Sequence, residues 1–128
     1  MHSLLPEQPP AETIDRVRHV ARGILDSIVA NEVALRAQLR LSLAEPANQA
    51  ELPLRQGRRI MWFEDALAPL RAQLPPQEFR RLTLALAATV SLEAAIWLVD
   101  LAGLSREAAI EQILWTAGQI VDSTTTSR

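Results

Sequence analysis

The chain has 128 residues, the length of a single domain that can bury a sizeable core. Its formal net charge of −2 provides no basic surface of the kind that nucleic-acid binding usually requires. Cysteine is absent and the two histidines show no metal-ligand spacing, so we exclude disulfides, thiol chemistry and a zinc site.

The N-terminal part of the chain predicts an arm followed by two helices. Residues 1–11 contain three prolines and no periodicity, which predicts a flexible arm. A first helix is predicted from Thr13, a plausible N-cap, with apolar residues at helical spacing. Asn31 is expected to break it, and a second helix follows over residues 32–44 with leucines at four-residue steps.

The middle of the chain predicts a surface loop, a bent helix and a long apolar helix. Residues 45–57 have no sustained period and predict a surface loop, with a helix that starts at Pro53 as the open alternative for its end. Residues 58–74 predict a third helix that bends at Pro69. A fourth helix is predicted from Glu78 to Ala102, about 37 Å long. It is apolar nearly all round, so it needs cover on most of its faces.

The C-terminal part predicts a tight turn and a last helix. Gly103 and the leucine after it form a Schellman signature, and Ser105 then caps a helix that runs to about Val121. The polar residues 123–128 are predicted to be disordered. Residues 12–122 therefore predict one all-α domain, a bundle of about five helices whose last two form an antiparallel pair.

Two classes of protein are disfavoured by these patterns. The sequence has no glycine-rich phosphate loop and no Ser/His/Asp arrangement, so we predict no catalytic residues, no metal and no cofactor. The long apolar helix could be taken for a membrane span, but Glu93 within it and the amphipathic neighbouring helices favour a cytoplasmic protein without membrane contact.

The segments GRRIMWFEDALAPLRAQL and LEAAIWLVDLAGLSREAAIEQILWTAGQIV resemble the C-terminal half of TetR-family bacterial repressors, and NEVALRAQLRLSL resembles the helix before them. This resemblance covers residues 14–121. It implies a domain that senses a small effector and dimerises through its last two helices. Family members also carry an N-terminal helix-turn-helix, which nothing here resembles, so we expect no DNA contact by this chain alone. A shortened form of a regulator and a natural relative without the DNA-binding part both stay open.

The resemblance places an effector pocket among the helices up to and including the long one. The residues expected to contact a small, mainly apolar effector are Trp62, Phe63, Leu67, Leu86, Glu93 and Trp97. Core packing explains the aromatic residues about equally well. Glu93 could instead pair with Arg36 or Arg40, or lie exposed in a gap between helices. Arg58 and Arg59 fit an anion contact, although a solvated helix start is the simpler interpretation.

The last two helices carry more apolar surface than a monomer needs, which predicts a two-fold homodimer with a four-helix interface. The residues expected at this interface are Leu92, Ile96, Val99, Ile110, Leu114, Trp115 and Gly118. Trp115 is explained equally well as a surface tryptophan. Two other functions stay open: a stand-alone helical interaction module, and a carrier of small apolar molecules without regulatory output.

Overall fold

The structure, a computed structural model, describes residues 3–44 and 52–126, and all regular structure within them is helical. The predicted all-α class is therefore confirmed. The six α-helices are α1 (Thr13–Ala30), α2 (Glu32–Ala44), α3 (Leu52–Ala66), α4 (Pro76–Thr89), α5 (Leu92–Ile96) and α6 (Arg106–Thr126). Most of the predicted loop, residues 45–51, lies outside the described residues, as do residues 1–2 and 127–128.

The core lies between α1 and α6, which pack more extensively on each other than any other pair, with α3 and α4 alongside. The buried side chains of α1 recur every three or four residues from Val17 to Ile28, as the apolar spacing predicts. Phe63 of α3 is fully buried in this core, and its replacement by alanine would cost about 3–5 kcal/mol.

The prediction of one long helix over residues 78–102 is wrong, because the chain leaves the helix at Val90 and restarts after Ser91 with a bend of 42°. Ser91 is extended, and its Oγ accepts a hydrogen bond from the backbone N–H of Ala94 at 3.1 Å. The same hydroxyl donates to the carbonyl of Ala88 at 2.8 Å. Ser91 therefore satisfies backbone groups on both sides of the break, which stabilises the bend.

A wide turn and a left-handed glycine end the segment that begins with α5. The chain continues from α5 through a π-helical turn, Trp97–Leu101. Gly103 then adopts φ +79°, which confirms the predicted left-handed cap. The backbone N–H of Leu104 donates to the carbonyl of Leu98 at 3.0 Å. This bond spans one residue more than a Schellman bond, because the π turn places an extra residue in the last turn.

The predicted third helix, residues 58–74, also ends early. α3 stops at Ala66, and Ala68–Leu70 form a short 3-10 turn. Pro69 in this turn has no N–H and disfavours helical geometry in the residue before it. Arg16 of α1 then closes the end of α3, because its guanidinium donates to two backbone carbonyls there at 2.8 and 2.9 Å.

At both ends of the domain, packed or helical residues extend beyond the predicted helical bundle. Leu4 and Leu5 are partly buried against the core, in the segment where a flexible arm was predicted. α1 begins at Thr13 itself, one residue earlier than an N-cap role would allow. α6 extends to Thr126, beyond the predicted end at Val121. The hydroxyls of Thr124 and Thr125 donate to carbonyls one turn back, which accommodates these residues in the helix.

Within the described part of the chain, no single helix has the length and apolar character needed to cross a membrane. The segments Pro76–Thr89 and Leu92–Leu101 meet that criterion only as a pair, bent by 42°.

Candidate functional site

A cavity of about 270 Å³, partly open to solvent, lies among α1, α2, α3 and α5. Its wall is mainly apolar, with a few polar side chains, which is the usual composition of a small-molecule site. The lining residues are Leu4, Gly23, Ile24, Ser27, Ile28, Leu35, Gln38, Leu39, Ser42, Arg59, Trp62, Leu92 and Glu93. The volume is close to the lower limit of pockets for drug-sized ligands, roughly 300 Å³, so the cavity suits a small molecule.

The spacing of residues on α1 and α2 explains why these helices face the cavity. Ile24 and Ile28 of α1 are four residues apart, and so are Leu35 and Leu39 of α2, so each pair covers one face of its helix. Ser42 continues the α2 face; it is buried, and its hydroxyl donates to the carbonyl of Gln38 at 2.8 Å. The N-terminal segment closes one side through Leu4.

Arg59 of α3 contributes a cation to this mainly apolar wall. Its Nε atom is buried and has no hydrogen-bond partner among the described residues. Its Nη1 atom donates to the carbonyl of Val90 at 3.5 Å, a long contact. Burial lowers the pKa of Arg59, and the attraction of Glu93 opposes that shift. The guanidinium nevertheless remains charged at neutral pH, so the cavity contains an incompletely solvated positive charge.

Glu93 lies in the cavity wall at the start of α5, with its side chain exposed. The suggested pairing with Arg36 does not form, because that guanidinium is bound by Glu32 and Asp100 at 2.8–3.0 Å. Within the cavity wall, Glu93 attracts the guanidinium of Arg59. Glu93 therefore faces the cavity and the solvent together.

The structure brings together only part of the predicted effector site. Trp62 and Glu93 line the cavity. Phe63, Leu67 and Leu86 are each fully buried in the core, with no exposed surface. Trp97 is 57% exposed and lies outside the cavity. The α1 and α2 residues of the wall were not predicted as ligand contacts, although the regular leucines of α2 gave a signal that its apolar face needed a partner.

Several predicted interface residues are buried within the chain itself. Leu92 and Ile110 belong to the core. Gly118 is buried, and a Cβ atom added there would lie 3.0 Å from the Arg18 guanidinium, so α1 already occupies that face of α6. The other predicted residues divide by exposure: Ile96, Val99 and Leu114 are partly buried, and Trp115 is 59% exposed.

No family model matches the chain, and the searches of curated proteins and of solved structures find no match either. Arguments about function therefore depend on the cavity, the exposed apolar side chains and the sequence resemblance.

Proposed function

We propose that the chain is the effector-sensing and dimerisation domain of a TetR-like transcription regulator. In this proposal the cavity among α1, α2, α3 and α5 binds a small, mainly apolar ligand. The cavity is the observation that carries the proposal, because it is a mainly apolar concavity between four helices with a few polar side chains, as expected of a small-molecule site.

The position of α5 supports a link between ligand binding and self-association. Leu92 and Glu93, at the start of α5, line the cavity. Trp97 and Leu101 follow within two turns and are 57% and 73% exposed. One short segment thus supplies both the cavity wall and a large exposed apolar surface. A displacement of this segment by a ligand would also move the exposed side chains.

The proposed homodimer uses the exposed side of this segment together with Trp115 of α6. Large exposed apolar side chains of this kind are typical of interfaces. A stable interface would bury about 1,200 Å² or more, and it would cover Trp97, Leu101 and Trp115. Gly118 and Ile110 no longer belong to the proposed contact surface, since they pack inside the subunit.

A stand-alone interaction module is the second candidate, and the surface of α2 favours it. Val33 and Leu43 on that helix are 86% and 70% exposed, and α2 makes few contacts with the rest of the bundle. An apolar surface on α2 fits a partner other than the dimer mate, for instance a full-length regulator.

The ligand-binding part is tested with a reporter protein in which Trp97 and Trp115 are replaced by phenylalanine, so that Trp62 is the only tryptophan. A panel of small apolar compounds should change Trp62 fluorescence and raise the melting temperature of the unmodified chain. Ser27→Leu, which fills the cavity mouth, should weaken both effects, whereas Gln77→Leu on the exposed side of α4 should not. Flat responses across the panel would contradict ligand sensing.

The dimer is tested by sedimentation at micromolar concentration. We expect a dimer for the unmodified chain and a monomer for Trp115→Asp, because an unpaired carboxylate in a dry contact is costly. Leu43→Asp is the matched control, since it places the same charge on the exposed apolar surface of α2. A monomeric unmodified chain would refute the dimer, and dissociation by Leu43→Asp alone would move the interface to α2.

The regulator part is tested by the genomic DNA just upstream of the Met1 codon. An in-frame helix-turn-helix there would support a TetR-like regulator, and its absence would favour the interaction module or a carrier.

A further inference from the structure

We propose that the ligand of this cavity is an amphipathic carboxylate, and that Arg59 binds its head group while the apolar wall covers the rest. This inference depends on the proposed function, since it names the class of ligand for the same cavity.

Arg59 is incompletely solvated. A guanidinium has five N–H donors, and the described residues give this one a single long contact, from Nη1 to the Val90 carbonyl at 3.5 Å. Its Nε atom is buried without a partner. A guanidinium that is partly buried and has so few partners is stabilised more by a new acceptor in the cavity than a fully solvated arginine would be. The two terminal nitrogens of Arg59 present N–H donors to which a carboxylate in the cavity can form two parallel hydrogen bonds.

Apolar groups line the cavity beside this cation. Trp62 is three residues from Arg59 on α3, so both side chains lie on one side of that helix and line the same cavity. The apolar lining of the cavity also includes isoleucines of α1 and leucines of α2. A ligand with its anion at Arg59 would therefore place its body against Trp62 and these aliphatic side chains.

The exposure of Glu93 disfavours a cationic ligand. Glu93 could attract an amine, but its side chain is exposed and already hydrated. Binding a cation there would replace water and gain little, as for other exposed ion pairs. Arg59 is less hydrated than Glu93, so the preferred ligand carries a negative charge.

The test compares three compounds of one shape, 4-phenylbutyrate, its amide and 4-phenylbutylamine, by titration calorimetry with the full chain at neutral pH. We expect the carboxylate to bind roughly tenfold or more tightly than the amide, as a charge-assisted bidentate contact implies. Equal binding of the carboxylate and the amide, or tighter binding of the amine, would overturn the inference and leave apolar ligand sensing intact. Binding of none of the three would count against the proposed function itself.

Variants then assign the preference to Arg59. Arg59→Gln should lower the affinity for the carboxylate roughly tenfold and leave that for the amide unchanged, and Arg59→Lys should keep part of the preference. Arg58→Gln, at the exposed neighbouring residue, should retain the full preference. A preference that persists in Arg59→Gln would assign it to another group. If that variant fails to fold, the three-compound comparison with the unmodified chain still decides the inference.

Discussion

Glu32 is the centre of an ion-pair network that joins α2, the π turn and α6, and its loss should destabilise the domain. Its carboxylate accepts from Arg106 at 2.6 Å and from Arg36 at 2.9 Å. Arg36 also binds Asp100 through two hydrogen bonds at 2.8 and 3.0 Å. The replacement Glu32→Gln keeps the shape of the side chain but removes the charge that both arginines share.

The size of the effect follows from the titration of this carboxylate. Hydrogen bonds from Arg106 lower the pKa of Glu32 from 4.5 to about 2. Burial opposes this shift, and the hydrogen bond from Arg36 adds to it. A shift of this size corresponds to at most about 3 kcal/mol. The arginines reach water, with side chains 31% and 55% exposed, so solvent screening reduces the expected loss to about 1–2 kcal/mol.

The assay is thermal unfolding of the unmodified chain and of Glu32→Gln at one protein concentration. At pH 7 the melting temperature should fall by roughly 3–8 °C. A carboxylate whose pKa is lowered by folding stabilises the protein above its unfolded pKa, and this contribution disappears as the pH falls from about 4.5 towards 2. The difference between the two proteins should therefore shrink in that range.

The control is Glu7→Gln, at an exposed position for which the described residues provide no ion pair. It should change the melting temperature little at any pH. A double-mutant cycle with Arg106→Gln should give a coupling energy of about 0.5 kcal/mol or more. A melting temperature for Glu32→Gln equal to that of the unmodified chain at pH 7, or a difference that does not depend on pH, would refute this account.

Three other predictions concern the backbone turns and DNA. Gly103→Val should lower the free energy of unfolding by about 1–3 kcal/mol. Nothing lies within 4 Å of an added Cβ, so the loss comes from the backbone conformation and not from a clash. Gly103→Asn should therefore cost much less. Ser91→Ala removes the N-cap of α5 and should lower the free energy of unfolding by about 1 kcal/mol, whereas the control Ser123→Ala should leave it unchanged. Equal melting temperatures for the two variants would contradict the capping role. The chain alone should give no sequence-dependent gel shift at sub-micromolar concentration, and a specific shift would contradict its assignment as a sensor domain without a DNA-binding part.

The features that the sequence predicted well are those set by local chemistry. The bounds of α1 and α2 agree with the apolar spacing and with the break at Asn31. Ser105 accepts a hydrogen bond from the N–H of Ala108 at 3.1 Å, as expected of an N-cap, and Gly103 has the predicted positive φ. Each of these features depends on a few neighbouring residues, so it can be read from a short stretch of sequence.

The composition of the cavity wall depends instead on contacts between distant segments. Leu4 and Arg59 are more than fifty positions apart, and their approach follows from how the N-terminal segment and α3 pack on α1. Helical spacing shows that α2 has an apolar face, but it does not show which helix that face meets. The pairing of Arg36 with Asp100 rather than with Glu93 has the same origin, since it depends on where the π turn places Asp100.

The break at Ser91 explains why the predicted effector site divides into three environments. On a continuous helix, Leu86, Glu93 and Trp97 would lie within about 40° of one another and would share one face. The bend of 42° and the new start of α5 end that alignment. Leu86 now lies in the core below the break, Glu93 faces the cavity just after it, and Trp97 is exposed beyond the first turn of α5. A serine in an apolar run predicts a helix break only weakly, because serine is also tolerated inside a helix when its hydroxyl donates to a carbonyl one turn back. What made Ser91 a cap was its burial between α4 and α5, where its hydroxyl replaces backbone hydrogen bonds that water cannot reach.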